Sequence, residues 1–584
     1  MSCRAPEARR GAHLWWFALA LLIFARPVAA SGLSPLEDEY FEGWFSFHPQ
    51  EATRLGVHRY DDRLLPVTAA SVAAEAAWLH DFSRRLAALP VAKLDYDDRI
   101  DRAALGARVD RQLLELEEVR GWEHNPNFYV NLVTSPVLAL LQRNFASPCT
   151  RIRSAARRLR AVPEVLRGAE VNLKHPPRLF TEVAIEQTRG ALRFYRETVP
   201  ALSADCREPE LQAALAEADT LAVRATESFL RFLQDGLLPH SDGQVPLGRD
   251  LYQRKLWADE RDSTPVDSLL ARGWRELNRT RARMTELAAR VAPGASVEAV
   301  LDTLARDHPS ADQQITFVSA VLDTIRAFVR DRDLLTPPRH EHLIVRETPT
   351  FARSLSFASM DSPGVWESGA DEAYFNVTPV DRSWSEAQQQ DHLGFFNRWN
   401  TQIVSIHEAL PGHYYQFMAL RGVKSRVRAS LGCGTNIEGW AHYCEQMAVE
   451  QGYGGGDPRI EIEQQWAALQ RLGRLVAGLS IHTAGMTQEQ AEELFEEQCW
   501  MKPINAAREA RRGALDPTYL VYTLGKWHIL DLREEVRAAL GDRYSPKVFH
   551  DALLRQGVVP LPLVRCGVLH ELAGRDLAPE DAGR

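Results

Sequence analysis

Between Pro35 and about Leu334, apolar residues recur at three- and four-residue spacing between polar faces, the repeat that lays an apolar stripe along an α-helix. Ala74 to Leu89, Cys149 to Leu173, Leu211 to Leu237, Pro265 to Val291 and Asp312 to Arg332 carry it most plainly. Turn residues punctuate it at Asn125-Pro126-Asn127, His175-Pro176-Pro177, Ser241-Asp242-Gly243 and Leu335 to Arg339. The pattern predicts packed antiparallel helices serving as scaffold. After Pro338 it changes. His342 to Thr348 and Ala373 to Thr378 are short β-branched or aromatic runs bounded by Pro and Gly, which predicts two strands. Helical spacing returns at Ser383, where Ser-Trp-Ser-Glu predicts a capping box with Glu386, and this helix is expected to run through Phe395, Phe396 and Trp399 to His407. Further helices are expected over Glu438 to Glu450, over Glu461 to Gly478, after Thr487 with its Gln490 box, and from the Asp516 to Gly525 cluster to about Leu540. The tail after Ala573 is expected to fray. The predicted fold class is mainly α with a small β-sheet near the candidate site.

One stretch is not explained as scaffold. Ile406 to Gln416 reads I-H-E-A-L-P-G-H-Y-Y-Q, and N-I-E-G-W-A-H follows at Asn436 to His442. A His-Glu pair, a second His and a later Glu are the parts of a zinc hydrolase. In the common H-E-x-x-H form the two imidazoles stand about 40° apart around a helix, whereas the spacing of His407 and His413 puts them about 120° apart. Pro411 disfavours helical geometry at Leu410, and Gly412 can take dihedrals closed to other residues. The expectation is a two-residue bulge that returns His413 to the face of His407.

His407, His413 and Glu438 then supply the three protein ligands of a catalytic zinc, with one position left open. Glu408 is placed as the base that takes a proton from water activated by the metal and returns it to the leaving amine. Glu438, His442 and Glu445 share a helix face, so His442 or Glu445 is placed to orient the imidazoles. Tyr519 and Tyr522, with Arg512 upstream, are the late-chain candidates for stabilising a developing oxyanion. An edge strand beside the cleft can pair with an extended peptide, and Asn376 can add a side-chain contact there. A plain structural sheet is the alternative.

Composition narrows the setting. The chain has 584 residues, 45% apolar and 25% charged, which is ordinary for a folded soluble protein. A net charge of -9 without basic clusters interleaved with aromatics argues against nucleic acid as partner. Arg4, Arg9 and Arg10, the apolar run Leu14 to Ala25, and Val28-Ala29-Ala30 predict a signal peptide over residues 1–30. An uncleaved N-terminal anchor is the alternative, although the run is shorter than the roughly 20 residues that span a membrane comfortably. A periplasmic or secreted location follows, with no stable membrane insertion after cleavage. Cys149, Cys206, Cys433, Cys444, Cys499 and Cys566 would remain, which permits disulfides without forming a disulfide framework. No C-x-x-C supports thiolate zinc, and no G-x-S-x-G, P-loop or Rossmann fingerprint competes with the His-Glu site.

H-E-A-L-P-G-H-Y-Y-Q followed by E-G-W-A-H-Y-C-E resembles the bacterial family catalogued as domain of unknown function 885, whose pattern is H-E-x-x-P-G-H-x-x-Q and E-G-W-A-x-Y-x-E. Phe47 to Leu64, Leu247 to Tyr252, Ala373 to Val377 and Pro517 to Gly525 resemble further family blocks. The resemblance therefore implies one catalytic unit over 31–584, with a helical scaffold lobe at 31–335 and strands plus metal-site helices at 336–584. That family is similar to the gluzincin metallopeptidases, including the thimet oligopeptidase, angiotensin-converting enzyme and carboxypeptidase Taq groups. The likeness implies a zincin-like, elongated helical body with a deep channel, zinc on His407, His413 and Glu438, and Glu408 as base. It also implies Tyr522, at the family's Tyr-x-x-Gly position, as a transition-state donor and Arg512 as a holder of a substrate carboxylate. The chain departs from the family at Pro517-Thr518-Tyr519, where Pro-Gly-Gln is usual, and at His442, where an apolar residue is usual. The expected function is an exported zinc metallopeptidase of carboxypeptidase or oligopeptidase type acting on short peptides. Alternatives are a zinc hydrolase of other amide or ester bonds, or a catalytically silent zincin fold that binds peptides.

Overall fold

In a computed structural model describing residues 32–349, 353 and 357–583, the apolar stripes of the first half form helices as predicted. The signal peptide expected over 1–30 lies outside the described residues. Pro148–Asn172, started by Ser147 accepting from the Thr150 N–H, packs along Pro209–Arg231. Val266–Val291 packs along Pro458–Ala484, which carries its stripe into the second half of the chain. The Thr487 and Gln490 capping box forms as expected.

The sheet has three strands, β1 (Leu343–Glu347), β2 (Ala358–Asp361) and β3 (Ala373–Val377), in the order β1-β3-β2. β1 runs parallel to β3, with Leu343 opposite Ala373, and β2 runs antiparallel to it, with Asp361 opposite Tyr374. β3 is central, and its alternate residues Ala373, Phe375 and Val377 enter the core. The β2 sequence, Ala-Ser-Met-Asp, is too short and mixed to announce a strand; pairing with β3 makes it one.

Three further expectations are corrected. The capping box before the metal-site region uses Ser385 with Gln388, two residues later than predicted, and starts the helix Glu386–Phe395. That helix does not continue to His407. Asn397 Oδ1 accepts from the Trp399 and Asn400 N–H groups at 2.9 and 2.8 Å, which begins a separate helix, Asn400–Glu408. Nor is the tail loose, since Tyr96 donates to Leu577 O at 3.1 Å and the Ser263 N–H to Gly583 O at 3.1 Å.

The apolar core does not divide at residue 335. The principal cluster draws on Tyr40, Phe82 and Val109 from the first helices as well as on Leu277, Ile406 and Leu569. A second cluster, including Val133, Leu159, Val162 and Phe229, belongs mainly to the helices between Pro126 and Leu237, with Leu64 added from the N-terminal segment. A stripe along the chain shows which face is buried but not which partner buries it. The second region contains the Cys149–Cys206 disulfide, while Cys433, Cys444, Cys499 and Cys566 are free and buried. Fully buried Arg158 ties this region to the N-terminal segment, donating to Thr53 Oγ1 at 2.6 Å, Pro136 O at 2.7 Å and Arg63 O at 3.1 Å. Among the described residues no helix is long and apolar enough to cross a membrane.

Candidate metal centre

The helix Asn400–Glu408 ends where the sequence predicts a break. The Ala409 and Leu410 N–H groups both donate to Ser405 O, at 3.0 and 3.2 Å, and the Gly412 N–H donates to Ile406 O at 3.0 Å. A new helix, His413–Leu420, starts at once. The expected bulge within one helix is therefore a junction between two. Gly412 is needed for space rather than for a left-handed backbone, since its φ is -67° while an added Cβ would lie 1.9 Å from His407 O. Trp440 Nε1 donates to Pro411 O at 3.0 Å and Gly412 O at 3.2 Å, so the junction is held by the helix Gly434–Glu450, which also carries Glu438.

This junction brings the imidazoles together, with ring centroids 4.9 Å apart and planes at 84°. Glu438 Oε2 lies 3.6 Å from His407 Nε2 and 3.5 Å from His413 Nε2. Zinc with ligands at about 2.0–2.1 Å in tetrahedral geometry separates them by about 3.3 Å. The two imidazole nitrogens and one carboxylate oxygen thus fit such an ion.

Behind these three groups, Glu445 Oε1 accepts from His407 Nδ1 at 2.7 Å, which leaves Nε2 free to hold a metal. Glu445 is fully buried, and its charge is answered by Arg471 Nη2 at 3.1 Å and by His442 Nδ1 at 3.2 Å. Of the two residues expected to orient the imidazoles, Glu445 does so directly. His442 acts one step removed, through Glu445. Although burial opposes ionisation, Arg471, His442 and His407 hold the Glu445 carboxyl well below the usual range. Glu438 is likewise held low against burial, by His413 and His407. Burial works against a charge on His407, yet Glu438 and Glu445 raise its pKa to about 9. These carboxylates favour positive charge at this point, whether carried by a proton or by a metal. Burial raises the pKa of Glu408, the residue next to His407, against the pull of His413 and His407.

Tyr522, on the helix Val521–Leu540, faces His407 with ring centroids 6.4 Å apart. The Arg471 and Arg474 guanidiniums lie 5.5 and 5.2 Å from its ring centroid. Tyr519 is occupied elsewhere, donating to Glu509, which also takes two hydrogen bonds from Arg474 at 2.6 and 2.8 Å. Arg512 is exposed, 5.1 Å from the Tyr519 ring centroid. Asn376 does not fit the role of an edge-strand contact. It is buried in central β3 and accepts from Arg346 Nε at 2.8 Å. β2, an edge strand, is the one that lies against the His407 helix.

Arg471, Arg474 and Glu509 are absent from the sequence-based site. Their only trace in the sequence is a pair of arginines one turn apart in the apolar run Leu469 to Val476, where a part-buried cation calls for a carboxylate partner.

The family model described as "Bacterial protein of unknown function (DUF885)" matches residues 49–568. The chain belongs to this family. Two solved structures share the fold of this DUF885 protein. One, from Shewanella oneidensis, is described as "a putative lipoprotein of unknown function" and aligns with a TM-score of 0.78 at 24% identity, over 92% of this chain and 99% of its own. The other, "the putative lipoprotein from Colwellia psychrerythraea", aligns with a TM-score of 0.79 at 18% identity, over 93% and 99%. No curated protein matches the chain.

Proposed function

We propose that this DUF885 protein is an exported zinc-dependent peptidase with a gluzincin-type site in a zincin-like helical body, acting on short peptides admitted through a channel. The observation that carries the reading is the convergence of His407 Nε2, His413 Nε2 and Glu438 Oε2, with Glu408 directly after His407 in the chain as the general base. Zinc, when bound, supplies the Lewis acidity that polarises a scissile carbonyl and acidifies water. Glu408 takes the proton of the attacking water and passes it to the leaving nitrogen. Glu445 fixes His407 through its Nδ1 proton, and Tyr522 offers a hydroxyl to the oxygen that gains charge. A lipoprotein description for both structural relatives supports an exported location.

Glu408 distinguishes an enzyme from a silent binding fold, because holding a metal requires no base beside it. Metal analysis and peptide hydrolysis by wild type, His407→Ala and Glu408→Gln test the reading. Zinc is expected in wild type and Glu408→Gln, with turnover in wild type alone. Equal turnover by all three would overturn the mechanism, and zinc without turnover of any peptide would leave a binding protein.

A further inference from the structure

Tyr522 faces His407 from the first turn of the helix Val521–Leu540, yet its hydroxyl forms no hydrogen bond among the described residues, so no polar partner aims it. What places the side chain is the wall on which its ring rests. The Arg474 guanidinium lies 5.2 Å from the Tyr522 ring centroid and 5.3 Å from that of Tyr519, so one cation sits against both rings. That cation is itself fixed. Arg474 Nε and Nη2 donate to the two oxygens of Glu509 at 2.6 and 2.8 Å, a two-point pair whose side chains are only 13% and 12% exposed. Glu509 Oε2 also accepts from the Tyr519 hydroxyl. Tyr519 lies in the turn that leads into the Tyr522 helix, and this turn is held from the helix Arg249–Glu260 as well, where Tyr252 donates to Pro517 O at 2.6 Å. Contacts thus run from Glu509 on the helix Pro503–Leu515, through Arg474 on the helix Pro458–Ala484, to the turn beneath Tyr522. Arg471, one turn before Arg474, also lies near the Tyr522 ring, but it is committed to Glu445 at 3.1 Å. Desolvation offsets much of the attraction in a part-buried pair such as Arg474 with Glu509, so what the pair contributes most distinctively is geometry.

We propose that Arg474, locked by Glu509, is a positioning residue that holds the Tyr522 hydroxyl toward the metal centre. This deepens the peptidase reading and rests on it: Tyr522 meets the oxygen that gains charge, and Arg474 and Glu509 act only through Tyr522. The planar guanidinium sets the place of the ring because its fork is fixed at two points. A lysine there would keep the charge and lose the two-point pair.

The test is a double-mutant cycle read by calorimetry on the zinc-loaded mature chain. The probe is tetra-alanine with a phosphinate and a methylene in place of its central amide, so that a phosphinate oxygen stands where the attacked carbonyl oxygen gains charge. Tyr522→Phe is expected to weaken binding about 10–100-fold, the scale of a hydrogen bond to a charged group. Glu509→Gln should lose most of the same margin at unchanged zinc content and helical circular dichroism, and should cost less than about twofold more when added to Tyr522→Phe. Arg474→Lys, which carries the cycle if Glu509→Gln does not fold, should behave in the same way. Losses that add in the double variant would overturn the proposal, because a merely structural role would weaken binding with or without the Tyr522 hydroxyl. Unchanged affinity in Glu509→Gln and Arg474→Lys, no effect of Tyr522→Phe, or no binding by the wild type would overturn it as well. The peptidase reading fails separately, as absence of peptide turnover by the wild-type enzyme, whatever the outcome of the cycle.

Discussion

The helices around Leu159 and those around His407 are both buried, in opposite ways. The second apolar cluster is built from Val133, Leu159, Val162 and Phe229, and its one fully buried charge, Arg158, is met by two main-chain oxygens and a threonine hydroxyl. The metal-centre region buries His407, His413, His442, Glu445 and Glu463, with Arg471 and Arg474 beside them. Burying charge is costly unless each group is paired, whereas burying leucine is favourable by itself. Apart from Arg158, the first region therefore needs mainly shape. The second needs partners for its charges, and two of its histidine nitrogens, His413 Nδ1 and His442 Nε2, are buried without a hydrogen-bond partner among the described residues. Electrostatic tension of this kind concentrates where chemistry is done.

The sharpest way to break the contrast is His407→Ala, or removal of zinc with a chelator. Either is expected to abolish stoichiometric zinc and all peptide turnover, read by elemental analysis and peptide assay, while the helical circular dichroism signal is retained. Next comes Glu408→Gln, with turnover expected to fall by about 10²–10⁴-fold at unchanged zinc content; a smaller fall would assign the base elsewhere. Leu159→Ala probes the other region. It should cost about 2–5 kcal/mol in denaturant unfolding by leaving a cavity, with zinc affinity unaffected because Leu159 packs in the second apolar cluster, while Ile406, Tyr414 and Trp440 beside the site belong to the principal one. Glu445→Gln is expected to weaken zinc by about 10–100-fold, and retention of full affinity would show that His407 is oriented without its carboxylate.

The smallest effect expected is a change in pH dependence. Burial raises the pKa of Glu463 from 4.5 to about 7, against a hydrogen bond from Asn397. An acid whose folded pKa lies above its unfolded value favours the fold while protonated. That contribution is full below about pH 4.5 and is lost as pH rises through about 7. Glu463→Gln keeps an acceptor for Asn397 and removes the titration. The difference in melting temperature between wild type and variant should therefore grow from pH 5 to pH 8. Parallel curves would show that Glu463 ionises in the fold as freely as in the unfolded chain.

The sequence conveyed the scaffold well because helix periodicity is local: the stripes at Cys149 to Leu173 and Pro265 to Val291 match helices to within a residue or so. It also conveyed the grouping of His407, His413 and Glu438, because the Pro-Gly pair between the histidines signals a break and the E-G-W-A-H segment carrying Glu438 follows within the same part of the chain. Elements that depend on distant partners were harder to read. β2 is a strand because β3 lies beside it, and Asn376 looked like an edge residue until β2 made β3 central. The Asn397 helix start uses a side chain that, in a linear reading, is only one polar residue among aromatics.

The sequence alone determined the helical class, the interruption between the two histidines, and a face carrying Glu438 and Glu445, because each depends on residues within a few turns of one another. Only the tertiary structure decided that Gly412 is there to make room for His407 O. The same holds for Trp440 pinning the junction, for Arg471 and His442 answering Glu445, and for Arg512 lying over the Tyr519 ring. Those outcomes depend on which helices meet, and a one-dimensional pattern of burial leaves that choice open.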